Sequence, residues 1–257
     1  MKVISIVNQK GGVGKTTTAV NLASALSEAG KFVLLVDLDP QGNATSGLGL
    51  KNQELEKGLY HALVGQDTLP NVVMNTHHAG LRVVPATPDL AGANVELVQV
   101  EGREAKLSDI LSEVAHAYDF ILIDCPPSLG ILTINGLVAA DHILIPVQAE
   151  YYALEGLGQL LKTIDLVRDN IKPNLQVLGA VLTMYDSRNK LSDEVFQELY
   201  KYFPNTIFRS VIPRTVRLAE APSYGKSIFH YEPGGKGAKA YERLARELLE
   251  QFEVNND

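Results

Sequence analysis

The chain has 257 residues, 46% apolar and 21% charged, a balance that suits a folded protein with a sizeable core and excludes disordered and fibrous classes. Its single cysteine, Cys125, excludes an internal disulfide and a cysteine-rich metal cage, so a reducing cytoplasm is the expected setting. The net charge of −7 excludes a generally basic surface, and any nucleic-acid contact must come from a local patch.

The elements alternate along the chain. "KVISIVN" (2–8) is a β-rich apolar run that enters without a leader-like apolar stretch before it. A glycine loop follows, then an Ala/Leu-rich helix to about residue 29, stopped by Gly30. "KFVLLVDLD" (31–39) is the next strand, followed by strands at 81–87, 119–127, 142–149, 175–186 and 206–213. Helical patterns lie between them, among them "LGQLLKTIDLVRDNI" and "LSDEVFQELYKYF". Strands apolar on both faces are parallel strands covered on each side. The expected fold is α/β, a doubly wound, mostly parallel sheet with helices on both faces, and one domain over 1–257. No run approaches the ~20 apolar residues that cross a bilayer.

The glycine loop carries the chemistry. In "VNQKGGVGKTTTA" the residues Gly14, Lys15 and Thr16 fit the phosphate-loop pattern G-x-x-x-x-G-K-[ST], but its first glycine would fall on Gln9, and a second lysine, Lys10, stands beside it. Gly11, Gly12 and Gly14 let backbone N–H groups turn toward an anion, and the helix opening at Lys15 aims its positive end at the same place. The segment Gly11, Gly12, Val13, Gly14, Lys15, Thr16, Thr17 is therefore a nucleotide site, with Lys15 on the β/γ-phosphates and the Thr16 hydroxyl on Mg²⁺. "ILIDCPP" ends a strand in Asp124, the form of a Walker-B carboxylate, and "VLLVDLDPQGN" ends another in Asp37 and Asp39. Ligands sit beyond the carboxyl ends of such strands, so the three aspartates converge on the loop.

"KGGVGKTT", "VDLDPQGNATSGLG", "DFILIDCPPSLG" and "IPRTVRLAEAPSYGKSI" together resemble the ParA/Soj branch of the deviant Walker-A ATPases, over nearly the whole chain. The resemblance implies an ATPase with ATP and Mg²⁺ as cofactors and weak intrinsic turnover. It implies an ATP-dependent homodimer in which Lys10 reaches the partner subunit's phosphates, with Gly11 where the two backbones approach. Asp39 matches the residue that acts on the attacking water and lies by the metal, Asp124 the Walker-B aspartate, and Asp37 a residue that organises magnesium. Met184 and Pro213 match adenine-contacting loops. Arg188 and Arg217 match positions that bind double-stranded DNA without sequence preference, with Arg209, Arg214, Lys190 and Lys226 as neighbours. A ParB-like activator and a nucleoid-associated, cytoplasmic location complete the implied picture of chromosome or plasmid partition.

Two other readings stay open: a relative that positions a protein cargo, and a metabolic P-loop ligase. The cysteine count argues against a bridging iron–sulfur cluster. The tail "AYERLARELLEQFEVNND" ends in acidic residues, against a membrane helix, and is expected to dock on the core. The six histidines have no metal-ligand spacing, and His77 and His78 are read as solvated loop residues.

Overall fold

A computed structural model describes residues 1–150, 156–204 and 206–254, without the side chains of 190–193. Its strands are β1 (Lys2–Ile6), β2 (Val33–Asp37), β3 (Met74–Asn75), β4 (Leu81–Val84), β5 (Phe120–Asp124), β6 (His142–Gln148) and β7 (Gln176–Thr183). The helices are α1 (Lys15–Glu28), α2 (Asn43–Gly47), α3 (Leu59–Leu63), α4 (Leu69–Val72), α5 (Leu90–Glu96), α6 (Lys106–Ser112), α7 (Ile131–Ala139), α8 (Leu157–Asn170), α9 (Lys190–Tyr202), α10 (Val216–Glu220), α11 (Ile228–Tyr231) and α12 (Lys236–Val254).

The sheet order is β3-β4-β2-β5-β1-β6-β7, parallel except for the antiparallel pair β3 and β4. Side chains alternate across it with the two-residue period of a strand. Leu34, Val36, Ile121 and Ile123 enter a core shared with α3 to α9, while Val33, Leu35, Phe120 and Leu122 enter a second core shared with α1, α2 and α10 to α12. Both faces are thus covered, as the continuous apolar runs require. The expected doubly wound architecture is the one observed.

Helix α1 begins after Gly14 (φ +87) and ends at Gly30 (φ +79), whose left-handed backbone turns the chain back into β2. α1 is buried along most of its length because it lies between the sheet and α12. On α12, Tyr241, Leu244, Leu248 and Phe252 form one buried stripe, so the tail docks on the core as its spacing implies.

Two elements differ from expectation. The segment expected as a strand at 206–213 forms no continuous ladder with β7: it makes isolated bridges, Ala180 to Ile207 and, just past β7, Tyr185 to Pro213, and the Ile212 N–H donates to the Leu182 carbonyl at 2.8 Å. The N–H groups of Arg209 and Ser210 donate instead to the Glu247 carboxylate on α12, and Pro213 has no N–H to give. Gly179 permits the close approach: its φ is +156, and a Cβ there would lie 2.7 Å from the Thr206 carbonyl oxygen. The antiparallel β3 carried too few residues to leave a pattern in the sequence. Lys190, expected as a neighbour of Arg188 and Arg217, has its side chain outside the described residues.

Candidate functional site

Strand order reverses about β1, whose neighbours are β5 and β6, and the loop leaving β1 lies at that reversal. Gly12 and Gly14 both have positive φ, which turns their N–H groups inward where another residue type would be strained. The loop is tied down from β7, where the Thr183 hydroxyl donates to the Val13 carbonyl at 2.7 Å. Asn8 steadies its entry by donating to the Pro146 carbonyl (2.7 Å) and accepting the Lys10 N–H (3.0 Å). Its exit is held by the first helical bond, Thr18 N–H to the Gly14 carbonyl.

Lys15 is buried, and its ammonium folds back over the loop to donate to the Lys10 carbonyl at 3.2 Å. Burial lowers its pKa, against the opposing pull of Asp124 and Asp39. Lys10 is half-buried, and its side chain makes no ion pair among the described residues. A Cβ on Gly11 would meet nothing within 4 Å, so that position faces open space in a single chain.

The carboxylates divide sharply in their partners. Asp37 and Asp124 end neighbouring strands in direct register, and both are fully buried. Asp37 is satisfied: Oδ2 accepts from the Thr45 N–H (2.8 Å) and hydroxyl (2.7 Å), and Oδ1 from the Asp39 N–H (3.3 Å). It therefore pins α2 and the turn that presents Asp39, and its oxygens are occupied within the chain. Even so, burial pushes it up to about 6. Asp124 has both oxygens buried without a hydrogen-bond partner; the Thr16 hydroxyl eases its charge without reaching ordinary bond geometry. Burial first, then Asp37, raises its pKa well above the usual carboxylate range. Asp39 accepts the Gln41 N–H on Oδ1 at 3.0 Å. An orphaned buried carboxylate beside a lysine and a glycine loop is a place shaped for a cation. Thr45 is the residue that sequence reasoning missed; its hydroxyl also accepts the Ala86 N–H, tying this turn to the strand beyond.

Met184 and Pro213 come together with Gly14, Thr17, Thr215 and Tyr241 around a pocket of about 210 Å³ beside the loop. Met184 has φ +53, the one left-handed residue other than glycine among those described, and such strain concentrates at binding sites. Cys125 is buried behind Asp124, and burial pushes its thiol up to about 12.

The arginines are less free than the sequence implied. Arg188 is highly exposed but clamps Asp186 with two bonds of 2.9 and 2.8 Å. Arg217, beside the exposed Val216, pairs with Glu220 (3.0 Å) and Glu232 (3.5 Å), and Arg214 with Glu150 (2.7 Å). The reading of His78 as solvated is corrected: its ring is 5% exposed and stacks on His230 with centroids 3.7 Å apart. Burial lowers its pKa to about 4. His77 does lie exposed.

The sequence model of a family described as an AAA domain matches residues 1–177. The chain is 52% identical over 250 residues to the chromosome partitioning protein ParA of Myxococcus xanthus, covering 97% of this chain and 88% of that one. It is likewise 52% identical over 247 residues to the sporulation initiation inhibitor protein Soj of Bacillus subtilis, covering 96% and 98%. The chain belongs to the ParA/Soj family of chromosome-partitioning ATPases. Its fold is shared with a solved structure from Mycobacterium smegmatis, named as a cobyrinic acid a,c-diamide synthase with bound ADP and magnesium: TM-score 0.89, 38% identity, 99% of this chain and 96% of that one. As a ParA/Soj member the chain has donors and acceptors that fit a magnesium nucleotide, with a loop whose Gly12 and Gly14 adopt positive φ, a buried lysine, and an Asp124 carboxylate without a hydrogen-bond partner among the described residues. No helix among the described residues is long and apolar enough to cross a membrane.

Proposed function

We propose that this chain is an ATP- and Mg²⁺-dependent dimerisation switch that binds double-stranded DNA without sequence preference and serves chromosome or plasmid partition. The observation that carries the reading is Asp124: a fully buried carboxylate with no hydrogen-bond partner of ordinary geometry among the described residues, in direct register with Asp37 and next to the loop that Lys15 crosses. Gly11 to Thr17 hold the triphosphate, with backbone N–H groups on its oxygens and Lys15 released from the Lys10 carbonyl to the β/γ-phosphates. Thr16 and Asp124 hold the metal, and Asp39 lies beside it. Mg²⁺ supplies charge neutralisation on the phosphates. Asp39, fixed by the Gln41 N–H, accepts a hydrogen bond from the attacking water and orients it in line. Met184 and Pro213 receive the adenine.

Lys10 makes no ion pair among the described residues, so it is available to a second subunit's phosphates, where it stabilises transition-state charge as an arginine finger does. Dimerisation then depends on ATP, and Gly11 keeps the approach unobstructed. Pairing two subunits doubles the set formed by Arg188 and Arg217 at the dimer edge, which suits phosphate neutralisation. A ParB-like protein accelerates hydrolysis and so resets the switch; the protein works in the cytoplasm, on the nucleoid.

The test is DNA binding against salt with ATP, ADP or no nucleotide, for the wild type, Lys10→Ala and Arg217→Ala. ATP-dependent binding with a steep salt slope, lost in both variants, is the expected result; binding indifferent to nucleotide refutes the switch. The name of the Mycobacterium smegmatis structure favours a second reading, an ATP-driven amidation of a small substrate. That reading requires rapid turnover with a carboxylate substrate and without DNA, which the same preparations can check.

A further inference from the structure

Far from the nucleotide loop, three side chains from separate parts of the chain meet: Glu28 at the end of α1, His78 before β4, and His230 on α11. One ligand atom from each lies within 4.8 Å of the other two. The His78 ring is buried and its Nδ1 has no hydrogen-bond partner. The Ser24 hydroxyl donates its proton to the Val20 carbonyl at 2.8 Å, so its oxygen faces His78 Nε2, 3.5 Å away, as an acceptor. Nε2 then carries the ring proton, and Nδ1 presents a lone pair toward Glu28 Oε1 at 3.8 Å. A lone pair and a carboxylate oxygen facing each other, with a second imidazole stacked alongside, form an incomplete arrangement that a cation completes.

We propose that Glu28, His78 and His230 form a binding site for a transition-metal ion of the zinc class, separate from the magnesium site. Two imidazoles and one carboxylate select a borderline divalent ion, whereas Mg²⁺ prefers an all-oxygen shell. The Ser24 contact orients the buried His78 ligand, as outer hydrogen bonds do at such centres. The other two ligands are exposed and can close. Ligand atoms about 2.0–2.1 Å from one ion lie roughly 3.3 Å apart, so Glu28 and His230 move inward by about 1.5 Å, and the parallel ring stack opens to let the lone pairs converge. Water fills the fourth position. The ion joins the far end of α1, roughly 20 Å along that helix from the phosphate loop, to α11 and to the turn before β4.

The experiment uses the full chain, free of affinity tag and stripped with chelator, held in millimolar Mg²⁺ and ADP so that the nucleotide site is filled. Co²⁺ is titrated and followed by its visible ligand-field bands, then displaced with Zn²⁺. The wild type is expected to take one equivalent with tetrahedral-type bands, and Zn²⁺ at a hundredfold excess over Kd to raise the thermal midpoint by roughly 5–10 °C. Glu28→Gln and His230→Asn alter exposed positions and leave the fold intact, and each is expected to weaken Co²⁺ binding at least tenfold. His78→Asn is expected to abolish the bands. Absence of bands in the wild type overturns the proposal. So do bands of equal affinity in Glu28→Gln and His230→Asn, which would locate the ion elsewhere, and a thermal midpoint that responds to pH but not to metal, which would leave only a proton in the gap.

Discussion

Replacing Asp124 by Asn should stabilise the protein when magnesium and nucleotide are absent and remove the stabilisation they give. Asp37 and Asp124 sit side by side in register on β2 and β5, and neighbouring strands are about 4.8 Å apart. Two unit charges about 5 Å apart at an effective dielectric near 20 repel by about 3 kcal/mol. Part of that is already relieved by proton uptake, since burial raises Asp37 to about 6 and Asp124 well above the usual carboxylate range. The net gain from Asp124→Asn is therefore about 1–2 kcal/mol at neutral pH, or roughly 2–8 °C in thermal midpoint for a chain of this size. The pH dependence has a fixed sign. A carboxyl whose folded pKa lies above its unfolded value binds more protons in the folded state, so its contribution is most favourable below 3.8 and is lost as pH rises through about 6. Thermal unfolding in EDTA, wild type against Asp124→Asn, should show a difference that is near zero at pH 3.8 and widens as pH rises above it, because Asp124 is held above the usual carboxylate range. With Mg²⁺ and ADP added, the wild type should gain stability and the variant should not. A variant less stable than wild type in EDTA, or a difference flat with pH, would refute the claim that Asp124 is an incompletely compensated charge awaiting a cation.

Gly136→Ala puts a Cβ 2.7 Å from Cys125 Sγ and 3.1 Å from Leu38 on a packed helix–sheet contact, and chemical denaturation should show a loss of about 1–3 kcal/mol. Tyr241→Phe removes a buried hydroxyl bonded to Thr18 at 3.3 Å between α12 and α1, and the same assay should read about 1 kcal/mol. Glu220→Gln frees one arm of Arg217 from a 3.0 Å ion pair, and if Arg217 meets phosphate, affinity for non-specific DNA in low salt should rise roughly two- to fivefold in a filter or mobility assay.

The fold was legible where hydrophobic runs are long and strands lie buried on both faces. "VLLVD" and "FILID" have no exposed residue, so their composition alone separates them from half-buried antiparallel strands. Boundaries were overrun by one to three residues wherever a strand passes into a site loop, because Asp39 and Pro127 look like strand continuation until the turn after Asp37 and Asp124 is seen. The segment 206–213 reads as a strand since Ile207, Phe208, Val211 and Ile212 make it rich in β-branched and aromatic residues, and nothing local reveals that Glu247, some 37 residues on, captures its amides. The phosphate loop was legible because its function is carried by backbone N–H groups, and the glycines that free them are visible in sequence.

What remained hidden in the site is what depends on partners. Three aspartates looked alike in the sequence, yet their environments assign them different work: Thr45 and the Asp39 N–H saturate Asp37, Gln41 orients Asp39, and Asp124 lacks a hydrogen-bond partner of ordinary geometry among the described residues. The same distinction governs the basic residues. Lys10, Lys15, Arg188 and Arg217 are each one positive charge in the sequence, but Lys15 is turned onto its own loop, both arginines are held by carboxylates, and Lys10 has no acid partner among the described residues. An arginine already paired gains from DNA only the difference between a phosphate and a carboxylate, whereas an unpaired lysine gains the whole of a new contact. If the proposed switch holds, that asymmetry puts its nucleotide-gated step on Lys10 and leaves the arginine surface as a weak, salt-sensitive track.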